Sequence, residues 1–137
     1  TGQLEDFSKS HPGKNAVTLF DADNTYSWPE FINAVLEEKY TLIRDFFSAM
    51  EDYGKSFLYR LLELMRGRSE KINLARYAYL LARMQPGEKA SPEQKGRYQE
   101  FSCKMFEWMK DDTQCREAVT AIYIYVYTIR EGGTENV

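Results

Sequence analysis

Two groups of residues in this chain have the types and spacing to do chemistry. In Val17-Thr18-Leu19-Phe20-Asp21-Ala22-Asp23-Asn24-Thr25 an apolar run leads into Asp-x-Asp-x-Thr. Paired carboxylates such as Asp21 and Asp23 are a residue type that nucleophilic and acid/base chemistry uses. The second group is cationic. Between residues 60 and 83, Arg60, Arg66, Arg68, Lys71, Arg76 and Arg83 face only Glu63 and Glu70, a local balance of +4. All but Lys71 are Arg, whose planar fork grips phosphate through paired hydrogen bonds. The first group reads as nucleophilic and acid/base chemistry, the second as binding of a phosphate chain.

The Asp21 segment resembles the first motif of haloacid-dehalogenase-type phosphatases, and the resemblance implies Asp21 as nucleophile, Asp23 as acid/base and Asp111-Asp112 as distant ligands for magnesium. That family's fold is a doubly wound parallel sheet, with several strands alternating with helices. This chain offers one strand-like run and then a helical pattern to its end. An EF-hand loop opening at Asp21 requires Gly at its sixth position and Glu at its twelfth, where Tyr26 and Ile32 stand. His11 lies beside Pro12 in a polar stretch. Cys103 and Cys115 have no His or Lys arrangement to activate a thiol and no partners for zinc. The sequence contains no Ser-His-Asp set, Walker loop or Gly-rich dinucleotide turn. The expectation is a chain that is not an enzyme and that uses no cofactor and no metal.

The 137 residues, 43% hydrophobic and 28% charged, suffice for one domain with one core. No apolar run approaches the roughly 20 residues that cross a bilayer, and no signal peptide opens the chain. Two cysteines make no disulfide framework. These features point to a soluble, cytoplasmic protein with no membrane partner. The net charge of −3 hides an asymmetry: residues 1–52 carry ten acids against four bases, and residues 84–137 nine against seven. One basic stretch in an acidic chain is the pattern expected where a single surface meets nucleic acid. A solvated helix face with scattered cations has the same composition. Aromatic residues reach 15%, ten of them Tyr, which suits a core, an interface or base stacking.

Helices must position these groups. Residues 1–26 read as an irregular arm, residues 27–133 as a single helical domain and 134–137 as a tail. Ser27-Trp28-Pro29-Glu30 is a capping-box pattern opening a short helix through Phe31, Ile32, Val35 and Leu36. Thr41 is a candidate cap for the next, with Ile43, Phe46, Phe47 and Met50 at helical spacing. Gly54 marks a joint, and Leu58, Leu61, Leu62 and Met65 form a stripe that stops near Gly67. A further helix spans about Ser69 to Met84, ended by Pro86-Gly87. Ser91-Pro92-Glu93-Gln94 supplies N-cap, first-turn proline and capping partner in order, and Tyr98, Phe101, Met105, Phe106 and Met109 follow on one face. Ile122 to Tyr127 alternates like a strand. Yet the start at Asp112-Thr113, the stop at Gly132-Gly133 and the stripe Ala118, Ile122, Val126, Ile129 read as a helix. The predicted fold is all-α, a compact bundle of about five helices.

On the helix of residues 69–84, Arg76 and Arg83 are two turns apart and share a face. Asn73 and Leu80 lie near the same line, and Tyr79 is one turn before Arg83. Ile72, Tyr77, Ala78, Leu81 and Ala82 are assigned to the opposite, core side.

Three segments in this order resemble the small helical subunit, of the Csm kind, of type III CRISPR–Cas interference complexes. They are Thr41-Leu42-Ile43-Arg44, Arg76-Tyr77-Ala78-Tyr79-Leu80-Leu81-Ala82-Arg83, and Ala121 through Tyr127 with the trailing Gly132-Gly133. The resemblance implies a non-catalytic subunit whose copies stack along a filament with the other effector subunits. It would touch the backbone of guide RNA and single-stranded target RNA through Lys and Arg, because base pairing rather than protein reads the sequence. Arg44 is a candidate RNA contact from the family motif. Arg60, Arg66, Arg68, Lys71, Arg76 and Arg83 are candidates from the charge map. The rival reading is a helical protein–protein interaction module without nucleic acid. In that case Arg44 pairs with a nearby acid, and Arg83 complements its helix C-terminus.

Overall fold

The protein is described by a computed structural model over residues 16–18, 25–49 and 55–135, with side chains over 25–49 and 56–129. The Asp21 and Asp23 motif, His11 and Gly54 lie outside the described residues. Among the described residues, five α-helices of nine residues or more carry the fold, and the expected all-α class holds. They are accompanied by one pair of three-residue strands. β1 (Ala16–Thr18) runs antiparallel to β2 (Thr25–Ser27), with Val17 opposite Tyr26. Residues that read as an irregular arm are therefore partly paired. The chain divides into two units, one of residues 1–41 and 116–137, the other of residues 42–115.

In the first unit, β2 leads directly into a helical turn, α1 (Trp28–Glu30). Ser27 is its N-cap and accepts a hydrogen bond from the Glu30 amide at 3.3 Å. The backbone then widens into a π-helix over Phe31–Tyr40, where bonding runs from i to i+5. Val35 and Lys39 are its buried residues. Thr41 does not cap a new helix. Its own backbone is helical, and its hydroxyl donates to the Leu36 carbonyl five residues back at 3.1 Å.

The buried Lys39 ammonium donates to Glu117 at 3.0 Å and to Glu38 at 2.7 Å. Tyr26, fully buried, donates through its hydroxyl to the Arg116 carbonyl at 3.1 Å and lies 2.5 Å from the Thr120 hydroxyl. The Arg116 guanidinium sits 5.3 Å from the centre of the Tyr26 ring and 3.8 Å from the Glu30 carboxylate. Burial, a hydrogen bond with Glu117 and repulsion from that same residue push Glu30 up to about 7, against the opposing pull of Arg116.

The second unit contains α2 (Thr41–Ala49) from Leu42 onward, α3 (Lys55–Arg66), α4 (Lys71–Arg83) and α5 (Pro92–Met109). The phenyl rings of Phe46 and Phe101 stack at 3.9 Å, and Phe47 meets Phe101 edge-on at 5.5 Å. Each of these three side chains contributes about 1.5–3 kcal/mol on leaving water. Both halves of the Ser91–Gln94 capping box form, with Pro92 in the first turn. Two buried tyrosines tie α4 to α5: Tyr77 donates to the Met105 carbonyl at 3.0 Å, and Tyr98 to the Leu81 carbonyl at 2.5 Å.

The last helix, α6 (Asp112–Glu135), is helical through the β-branched run. Gly132-Gly133 does not stop it, since the helix continues to Glu135. Ala118, Ile122 and Val126 are buried as their spacing required.

Candidate nucleic-acid interface

Gly67 ends α3 by breaking helical propensity, and its amide donates back to the Glu63 carbonyl at 3.1 Å. Residues 67–70 turn the chain into α4, so α3 and α4 lie side by side and run in opposite directions. Asn73 fixes the turn, its amide nitrogen donating to the Gly67 carbonyl at 2.8 Å. A Cβ on residue 67 would stand 2.7 Å from that nitrogen, so a larger residue there has to shift the Asn73 carboxamide. Between the two helices lies a groove of about 730 Å³.

Spacings of three, four and seven residues place Arg60, Glu63, Leu64 and Gly67 on one face of α3. Glu70, Asn73, Arg76, Tyr79, Leu80 and Arg83 likewise follow one face of α4. The polarity of the groove follows from its topology. Glu63, Gly67, Glu70 and Asn73 occupy the turn end, while Arg60, Arg76, Tyr79 and Arg83 occupy the far end. Arg76 donates to Asn73 at 3.4 Å, and the Arg83 guanidinium carbon lies 5.9 Å from the Tyr79 ring centre. That distance is within cation–π range.

Three of the seven candidate cations, Arg60, Arg76 and Arg83, thus come together with exposed side chains. Arg66 and Lys71 are exposed at the helix ends flanking the turn but do not line the groove. Arg44 is exposed on α2 and bonds its neighbour Asp45 through two nitrogens, each at 3.2 Å. Arg68 is built into the turn. Its Nε donates to the Met109 carbonyl at 2.9 Å, and its guanidinium pairs with Asp112.

The expected sides of α4 need correcting in part. Tyr77 and Leu81 are buried as assigned, but Ile72 and Ala82 are exposed and Leu80 is buried. Helix–helix packing toward α3 and α5 together claims more of the circumference than one apolar stripe predicts. Of the cysteines, Cys103 is exposed and Cys115 is buried. Burial pushes the Cys115 thiol up to about 11, and its S–H donates to the Met65 carbonyl at 3.5 Å. Among the described residues no cluster of His, Cys, Asp or Glu is arranged to hold a metal, and no helix is long and apolar enough to cross a membrane.

Residues 44–131 match the family described as the CRISPR RNA silencing complex Cmr2 subunit, second helical domain. The chain belongs to this family. Its likeness to the Cmr2 helical domain is accompanied by likeness to larger proteins named CRISPR system single-strand-specific deoxyribonuclease Cas10/Csm1 (subtype III-A). The relative from Mycobacterium tuberculosis is 41% identical over 98% of this chain and 16% of its own length. That from Streptococcus thermophilus is 35% identical over 96% of the chain and 17% of its own length. That from Enterococcus italicus is 37% identical over 96% and 16%. The Cmr2-family chain therefore spans about a sixth of the length of these relatives.

The resemblance to a type III CRISPR–Cas subunit is borne out. The expectation of a chain that is not an enzyme is overturned, because the relatives are named as deoxyribonucleases.

Proposed function

We propose that this chain is the helical part of a Cas10/Csm1-type subunit that holds single-stranded nucleic acid within a type III CRISPR effector complex. The occupants are guide RNA and target RNA, each held as an unpaired strand and gripped at the phosphate backbone among the other effector subunits. The observation that carries this reading is the convergence of Arg60, Arg76 and Arg83 along one groove between α3 and α4. Three guanidiniums outnumber the two carboxylates, and both acids belong to the turn end. Arg66 and Lys71 extend the positive field beside the turn, and Arg44 adds a contact on α2. Arg68 supports the groove through its bonds to Met109 and Asp112. The single-strand deoxyribonuclease activity in the relatives' name is that of proteins of which this chain matches about a sixth.

The test is a salt titration of RNA binding by the wild-type chain and by Arg76→Ala/Arg83→Ala, with helicity followed by circular dichroism. For a single strand each lost phosphate contact lowers the slope of log K against log salt by about 0.7. The double variant is expected to remain helical, to bind RNA more weakly and to show a slope lower by about 1.4. Unchanged affinity in a folded variant would assign the strand to another face. A preference for single-stranded DNA over RNA of the same length would change the occupant and keep the groove.

A further inference from the structure

Tyr79 has the most exposed large apolar side chain among the described residues, at 67%. The tyrosines that stabilise this unit are placed otherwise: Tyr77 and Tyr98 are buried, each with its hydroxyl on a helix carbonyl. Tyr79 stands instead on the rim of the groove, at the end that holds the arginines. Leu64, Ala75 and Leu80 also line the groove. An aromatic ring in water beside a cation, on the rim of a groove with apolar lining, matches a flat π-system flanked by negative charge. A nucleotide has that composition.

We propose that the far end of the groove is a single-strand site in which an unpaired base stacks on Tyr79 while Arg60, Arg76 and Arg83 hold the adjoining phosphates. This deepens the phosphate-groove reading and rests on it. A base within a duplex is already stacked and paired, so the site discriminates against double strands without reading sequence. Arg83 has two roles here: its charge meets the phosphate, and its plane extends the platform that Tyr79 begins.

Fluorescence anisotropy of the full chain tests this with three probes of equal length: an oligoadenylate RNA strand, an abasic ribose-phosphate strand, and the RNA duplex. The wild type is expected to bind the adenylate strand about five-fold or more tighter than the abasic strand, and the duplex more weakly than the adenylate strand. Tyr79→Leu should remove the difference between the two single strands and leave the salt slope unchanged. Tyr79→Phe, which keeps the ring, should preserve it. Equal binding of intact and abasic strands by the wild type would overturn stacking while leaving phosphate binding in place. So would a Tyr79→Leu loss shared equally by both strands, or tighter binding of the duplex. Failure of the wild type to bind any strand would overturn the groove reading and this inference together.

Discussion

The Arg83 guanidinium stands 5.9 Å from the centre of the Tyr79 ring, one turn earlier on the same helix. Both side chains are exposed, so the pair holds its geometry at the groove rim with little help from burial. An ammonium keeps the charge at this position but not the plane. Arg83→Lys is therefore expected to retain the salt slope of RNA binding while weakening affinity a few-fold. Anisotropy at three salt concentrations separates the two effects, and a fall in slope equal to that of Arg83→Ala would contradict the assigned role of the guanidinium plane.

Arg68 is expected to contribute to stability through its bond to a helix carbonyl. Its Nε bond to the Met109 carbonyl is partly buried, whereas its partner Asp112 is 92% exposed. Exposed ion pairs are worth about 0–1 kcal/mol, and hydrogen bonds from charged groups about 1.5–3 kcal/mol. Urea denaturation should show Arg68→Ala destabilised by about 1.5–3 kcal/mol and Asp112→Asn by less than about 1 kcal/mol. Equal losses would place the weight on the ion pair instead.

Glu30 predicts a pH dependence with a definite sign. Its carboxyl is pushed up to about 7 by burial first and by Glu117 second, while Arg116 and Lys39 oppose. Between its ordinary value of 4.5 and about 7, the folded state holds more protons than the unfolded chain. Stability from this group is thus complete at the acid end and is lost as pH rises through that window. Glu30→Gln should melt higher than wild type at pH 8, match it near pH 4.5, and flatten the slope between. A melting curve with the opposite pH trend would show that Arg116 dominates.

The two thiols should separate under alkylation. Cys103 is exposed and should react with iodoacetamide in the folded protein. Cys115 is buried with its thiol pushed up to about 11, and should react only as the protein unfolds. Peptide mapping at increasing urea gives the order, and early labelling of Cys115 would contradict its burial.

What the sequence revealed was local. Ser91, Pro92 and Gln94 announce the start of α5 because a cap is written within four residues, and it forms as read. Arg76 and Arg83 share a face because two helical turns fix it. The failures involve partners far along the chain. Lys39 is buried against Glu117 across 78 residues, and Tyr26 against Thr120 across 94. No periodicity signals such pairings. Thr41 reads as a cap because threonine favours that place, yet its hydroxyl bonds backward along a π-helix that no propensity scale anticipates. Tyr79 reads as a neighbour of Arg83 one turn away, but its prominence depends on how far α3 and α5 cover the rest of α4.

Gly67 and Asn73 are separate positions in the chain but one unit of inheritance. The carboxamide of residue 73 occupies the volume where any side chain on residue 67 would begin. Alanine at 67 has to push the carboxamide aside and strain its bond to the carbonyl. A smaller residue at 73 opens the space but still forfeits that bond. Neither position can drift alone without loosening the turn between α3 and α4. In lineages that retain the groove, the two should therefore be kept together or exchanged together.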